Sequence, residues 1–184
     1  MNDEKSLGID RILISEASIQ ATIRSMAEEL DERFHEKNPL LIGVLTGAIT
    51  FMADLMRAMR SHVQIDFMAV SSYGDETQSS GVVRILKDLD QDIGGRHVIV
   101  VEDIVDSGLT LQYLLDNLQR RDPESITVVA LLRKIKPDAI DVAVDRVGFN
   151  IPDVFVVGYG LDYAGKYRNL PYIGVLRSDL ISSR

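Results

Sequence analysis

The sequence predicts an α/β fold: a mostly parallel, twisted, five-stranded sheet flanked by helices on both faces, as a single domain over residues 1–184. Three observations predict it. Short apolar runs rich in β-branched residues recur along the chain, the pattern of strands buried on both faces of a parallel sheet. Between several of them lie stretches whose apolar residues repeat at helical spacing, so that strands and helices alternate. A length of 184 residues with 46% hydrophobic content is enough for one substantial core.

Taken in order, Ile19, Ile23, Met26, Leu30 and Phe34 repeat at helical spacing between Ser15 and Phe34, with Ser15 placed as an N-cap and Glu28, Glu29, Asp31 and Glu32 on the wetter faces. Leu40–Leu45 is the next buried strand, and TGAITF turns into a helix running to about Arg60. Val63–Val70 is strand-like. The following stretch, Ser71 to Gly81, is dominated by Ser, Gly, Gln and acids without periodicity and is expected to be a long exposed loop. Val82–Leu86 pairs back as a strand, and DLDQDIGGR leads through Gly94-Gly95 into the central segment. There Val98–Val101 forms a buried strand, Ser107-Gly108 breaks the pattern, and Leu111, Leu114, Leu115 and Leu118 share one face of a helix over Thr110–Arg120. Asp122-Pro123 stops that helix, and Ser125–Leu132 supplies another buried strand, with Arg133, Lys134 and Lys136 at its end. Val142–Val147 and Phe155–Val157 are the last strand signals, and residues 154–157 are assigned as the fifth strand of the sheet.

Composition argues against several functions. A net charge of −8 leaves no standing electrostatic footprint for nucleic acid. The absence of cysteine removes disulfides, thiolate nucleophiles and zinc–thiolate sites. The start, MNDEKSLGID, is polar and acidic, and no apolar run approaches the roughly 20 residues that span a bilayer, so a cytoplasmic location is expected. There is no G-x-x-x-x-G-K-[ST] loop, and Tyr163 stands where the third glycine of a dinucleotide fingerprint would follow Gly158 and Gly160.

The chemistry concentrates at the carboxyl end of the central strand. A turn of small residues opening a helix leaves backbone N–H groups aimed outward, and the helix dipole adds partial positive charge, which suits a phosphate monoester. Glu102, Asp103 and Asp106, just before that turn, repel phosphate; they suit ribose hydroxyls or a hard cation such as Mg²⁺. Phosphate, sugar and cation together point to a phosphorylated ribose. Basic residues such as Lys134 after a strand are ordinarily solvated, but the carboxyl ends of parallel strands converge on one crevice.

The string VVEDIVDSGLT, Val100–Thr110, resembles the signature of the type I phosphoribosyltransferases, which use 5-phosphoribosyl 1-pyrophosphate (PRPP). IPDVFVVGYGLDYAGKYRNLPYIG, from Ile151, and the LLxK string ending at Lys134 are similar to the hypoxanthine-guanine branch. The resemblance runs from about Leu40 to Leu176. It implies the type I phosphoribosyltransferase fold, with a core over about 38–160 and a small hood built from the N- and C-terminal segments. It also implies Mg²⁺-dependent transfer of the phosphoribosyl group from PRPP to N9 of hypoxanthine or guanine, in a homodimer or homotetramer.

On this resemblance the 5-phosphate rests on Ser107, Gly108, Leu109 and Thr110, and Glu102 and Asp103 meet the ribose hydroxyls and the metal. Backbone groups of Thr46 and Gly47 in the LxG loop, and Arg168, meet pyrophosphate; the family often has Lys where this chain has Thr46. Asp106 is the general base at the purine N7, Lys134 hydrogen-bonds the 6-oxo group, Phe155 stacks on the ring, and the Val156 backbone reads the base edge. Asp162 contacts the metal shell and the region of the purine 2-position. Ser72-Tyr73 begins a flexible lid, 71–81. Taken singly, Phe155 reads as core, Asp162 as a turn residue and Arg168 as a surface charge. Two alternatives stand beside this reading: a xanthine-preferring enzyme, and a PRPP-sensing regulator with a nucleic-acid partner. Against the regulator stand the acidic composition and the set Lys134, Phe155 and Asp162.

Overall fold

The computed structural model describes residues 7–73 and 82–181. A six-stranded sheet is built from β2 (Leu40–Leu45), β3 (Gln64–Tyr73), β4 (Val82–Lys87), β5 (His97–Val105), β6 (Ser125–Ile135) and β7 (Arg146–Pro152), in the order β4-β3-β2-β5-β6-β7. Five of these strands run parallel, and β4 closes one edge antiparallel to β3. A second, three-stranded antiparallel sheet joins β1 (Ile9–Ile14), β9 (Ile173–Leu176) and β8 (Val156–Val157) in the order β1-β9-β8.

Alternation along the strands sorts the main core into two layers. Leu41, Ile99, Val101 and Val129 lie with α1 (Glu16–Phe34) and α2 (Ile49–Ala58). Leu40, Ile42, Val98, Val100 and Val128 face α3 (Leu109–Gln119) through Leu111, Leu114 and Leu118. Helix α1 starts where expected, with the Ser18 N–H donating to the Ser15 hydroxyl at 3.2 Å, and buries Ile19, Ile23, Met26, Leu30 and Phe34. No helix among the described residues is long and apolar enough to cross a membrane.

Two assignments change. The fifth parallel strand is β7, not residues 154–157; Pro152 ends β7, and Val156–Val157 belong to the small sheet, where Val156 pairs with Val175. Val142 is buried in the connection before β7 rather than in a strand. A short apolar run signals burial equally well in a strand, a loop or a second sheet, and only pairing separates these cases. The central strands also outrun their apolar cores. β5 continues through Glu102 and Asp103 to Val105, and β6 carries Arg133 and Lys134, because pairing of β5 with β6 and of β6 with β7 extends the ladder beyond the hydrophobic stretch.

Strand order fixes where a ligand can bind. After β2 the chain steps outward to β3, then returns to the other side of β2 as β5, so the order reverses between β2 and β5. The connections leaving the carboxyl ends of these two neighbours diverge to opposite faces and open a crevice there.

Candidate functional site

The crevice is a cavity of about 420 Å³ whose walls come from the ends of β2, β5 and β6, the start of α3, and the segment from Phe155 to Arg168. Thr46, Gly47, Glu102, Asp103, Asp106, Ser107, Gly108, Thr110, Lys134, Phe155, Val156, Asp162 and Arg168 all line it. Leu109 does not; it is the first residue of α3, and its N–H donates to the Ser107 hydroxyl at 3.4 Å. Ser72 and Tyr73 end β3, opposite Val83 and Val82, so the expected loop 71–81 begins as strand, and its residues 74–81 lie outside the described residues.

Close backbone contacts shape the walls. A Cβ at Gly47 would lie 1.6 Å from Oδ2 of Asp103, and one at Gly160 would lie 2.1 Å from the carbonyl oxygen of Gly47. The segment after β2 is therefore wedged between the acidic strand end and the Gly158–Gly160 turn. On the opposite side Gly108 opens α3 at φ +83° and, having no side chain, supplies no cap of its own; the Ser107 hydroxyl takes the Leu109 N–H, and among the described residues no side-chain cap bond is made to the N–H groups that follow in the first turn. The Ile140 N–H donates to the Ser107 carbonyl at 2.9 Å, and Arg133 donates to the Val142 carbonyl at 2.5 Å, so the connection before β7 backs this turn.

The carboxylates differ in state. Burial, and then the neighbouring Asp103, push the pKa of Glu102 well above the usual range. Asp103 is pushed up to about 6 by burial; hydrogen bonds from the backbone N–H groups of Ile104 and Asp103 and the Arg168 charge draw it down, while Asp162 opposes them. Asp106 moves the other way. Burial would raise it, but its bonds to Lys136 and Lys134 outweigh burial and hold it below the ordinary value. Lys134 Nζ lies 2.9 Å from Asp106 Oδ2, and Lys136 Nζ lies 2.5 Å from Oδ1. Arg168 pairs with Asp162 at 2.7 Å and donates to the Gly160 carbonyl at 2.5 Å, while the Gly165 N–H donates to Asp162 at 2.9 Å. Phe155 meets Tyr163 edge to face, with centroids 5.4 Å apart.

Among the described residues no group of three or more His, Cys, Asp or Glu side chains is gathered to hold a metal by itself. What the cavity offers is hard oxygen donors whose charged form burial disfavours, a penalty that a cation taking its remaining ligands from substrate and water would offset.

A model of the phosphoribosyl transferase domain matches residues 8–164. The chain belongs to this family. It is 50% identical over 175 residues to the hypoxanthine-guanine phosphoribosyltransferase of Bacillus subtilis, covering 95% of this chain and 97% of that protein. The solved hypoxanthine phosphoribosyltransferase of Staphylococcus aureus superimposes with a TM-score of 0.93 at 40% identity, covering 100% of both chains. A solved hypoxanthine-guanine-xanthine phosphoribosyltransferase superimposes at 0.85 with 43% identity, covering 93% of this chain and 99% of that one.

Sequence reasoning passed over two groups of residues. Lys136 stood out only as a charge after a strand, although it lies two residues beyond Lys134 and so on the same side of an extended chain. Tyr159, buried at 4% exposure, donates its hydroxyl to Asp54 at 2.5 Å, and Gln20 donates to the same carboxylate at 2.6 Å. These contacts tie the Gly158–Gly160 turn to α1 and α2; no local pattern announces a bond between residues this far apart.

Proposed function

We propose that the chain transfers the 5-phosphoribosyl group of PRPP to N9 of hypoxanthine or guanine, forming the purine 5′-monophosphate and pyrophosphate. The observation that carries the reading is the meeting, in one cavity, of a glycine-opened helix start, the adjacent carboxylates of buried Glu102 and partly buried Asp103, and a Lys–Asp pair. These match, in order, a phosphate, a sugar with its cation, and a 6-oxopurine edge.

The 5-phosphate takes the N–H groups of the Ser107–Thr110 turn, with the Ser107 and Thr110 hydroxyls adding donors. Glu102 and Asp103 face the ribose hydroxyls. Glu102 and Asp103, with Asp162 across the cavity, would hold Mg²⁺ mainly through substrate and water oxygens rather than as a closed protein shell, and the ion would supply charge neutralisation at the leaving group. The Thr46-Gly47 backbone and Arg168 meet pyrophosphate.

A 6-oxopurine presents an acceptor at O6 beside a donor at N7, and Lys134 with Asp106 offers the complementary pair. As Lys134 turns to O6, Asp106 loses one of its two ammonium partners; its basicity then rises as N7 comes within reach. Such acid–base help typically contributes ~10²–10⁴ in rate. A 6-aminopurine gives the ammonium no comparable acceptor. Phe155 supplies an apolar face for the ring, and the small sheet around it forms the hood.

Pyrophosphate release from PRPP and Mg²⁺, with hypoxanthine, guanine, xanthine and adenine offered separately, tests this. Turnover with hypoxanthine or guanine and not adenine is expected. Dominant turnover with xanthine would select the alternative that the 43% identical xanthine-accepting neighbour keeps open. PRPP binding with no turnover would select the regulator.

A further inference from the structure

Lys136 has no part in the reaction set out above, yet it makes a shorter contact to Asp106 than Lys134 does, 2.5 Å against 2.9 Å. It lies outside the cavity lining, and its side chain is only 22% exposed. Three adjacent parallel strands deliver the group. Asp106 follows β5, Lys134 is carried by β6 and Lys136 follows it, and Asp153 follows β7. Asp153 Oδ1 lies 3.4 Å from Lys134 and 3.3 Å from Lys136, so two carboxylates and two ammoniums form a closed, neutral cluster at the cavity wall.

We propose that Lys136 is a positioning residue for the reaction: it holds Oδ1 of Asp106 from behind the cavity wall, so that Oδ2 faces the purine N7 while Lys134 engages the 6-oxo group. The inference rests on the reading of Asp106 as the base. With Lys134 alone, the arriving purine would take away the group that fixes the carboxylate, and Asp106 would be free to rotate when its direction matters most. With Lys136 in place the two tasks separate: one lysine reads the base and the other keeps the carboxylate aligned and charged. Because Asp153 balances the second ammonium, Lys136 adds no net pull on the polyanionic PRPP. Its loss therefore falls on the purine step. The charged groups facing Asp106 are Lys134, Lys136 and, through them, Asp153.

The test is steady-state kinetics of Lys136→Met and Lys136→Arg, each alone and in the Asp106→Asn background, at saturating PRPP and Mg²⁺. Lys136→Met should lower kcat/KM for hypoxanthine about tenfold, the scale of one charge-assisted hydrogen bond. The acid limb of the pH profile should move upward, and PRPP affinity should stay within about twofold. Lys136→Arg should restore most of the loss and return the limb. In the Asp106→Asn background, Lys136→Met should add nothing, since the group it positions is gone. An equal loss in both backgrounds, or an unmoved acid limb, would overturn the positioning role while leaving Asp106 as base. Full turnover in Asp106→Asn alone would overturn the base reading, and this inference with it.

Discussion

The molecule buries carboxylates at opposite ends of its parallel sheet and treats them oppositely. Asp66, near the amino end of β3 and 5% exposed, is surrounded by donors. Its Oδ1 accepts the Phe67 N–H at 2.7 Å and has Lys87 at 3.6 Å, and its Oδ2 accepts the Asp90 and Gln91 N–H groups at 2.9 and 3.2 Å. Glu102, toward the carboxyl end of β5 and 6% exposed, shares its surroundings with a second acid, and burial pushes its pKa up. The first arrangement ties the chain after β4 back onto β3. The second leaves an electrostatic demand that the fold alone does not meet, and unmet demand of this kind collects where a ligand completes the site.

Asp106 stands between the two cases, because its charge is met by lysines that a purine would redirect. Asp106→Asn keeps the shape and removes the anion, so turnover should fall ~10²–10⁴-fold with PRPP binding nearly unchanged. Wild-type turnover would place Asp106 with Asp66, as structure only.

The direct contrast is next in size. Glu102→Gln should cut kcat/KM by ~10²–10³, the scale for losing a preorganised charge contact, while the thermal midpoint at neutral pH holds or rises. Asp66→Asn should do the reverse. Its new NH₂ would face N–H donors from Asp90 or Gln91, costing ~2–3 kcal/mol of stability and leaving kcat within about twofold. Matching stability losses for both variants would erase the distinction.

Lys134→Ala probes the boundary of the unmet region. One charge-assisted hydrogen bond to the purine is worth ~1.5–3 kcal/mol, so KM for hypoxanthine should rise about tenfold or more while that for PRPP barely moves. Equal effects on both substrates would remove Lys134 from base recognition.

How much of this was legible in the sequence follows from what each feature depends on. The strand, acidic tip, small turn and helix over His97–Gln119 are local, and periodicity with composition places them nearly as observed. The N-cap at Ser15 is likewise a three-residue affair. Residues 154–157 differ from expectation because Val156–Val157 pairs with a strand at Ile173–Leu176, a partner that no local pattern announces. The Asp66 staple is silent in the sequence for the same reason, since its partners at Asp90 and Gln91 are loop N–H groups with no side-chain signature. The acid cluster at Glu102–Asp103 was visible as residue types. That burial would suppress its ionisation was not, because strand pairing carries β5 past its apolar run and puts the acids inside.

The smallest effect tests that suppression on stability itself. Asp103 titrates at about 6 in the folded chain against an ordinary 3.8, so between these values the folded state keeps a proton that the unfolded state has released. Stability from this group is therefore highest below about pH 4, falls as pH rises toward 6, and stays low above that. Asp31 and Asp88, held below their usual values by backbone N–H groups with side-chain help, work in the opposite direction and lose their contribution in acid. A melting curve of the wild type mixes these slopes, but its difference from Asp103→Asn reports the Glu102–Asp103 pair alone. Asn keeps an acceptor for the Ile104 N–H, now made at 2.8 Å, and has no charge to suppress. The variant's advantage should grow from near zero at pH 4 to ~1–3 kcal/mol at pH 7, at ~1.4 kcal/mol per pKa unit. Saturating PRPP with Mg²⁺ should shrink or reverse it, because these ligands favour the ionised wild type. A difference that stays flat from pH 4 to 7 would mean that Asp103 is as well satisfied as Asp66, and the contrast between the two ends of the sheet would be lost.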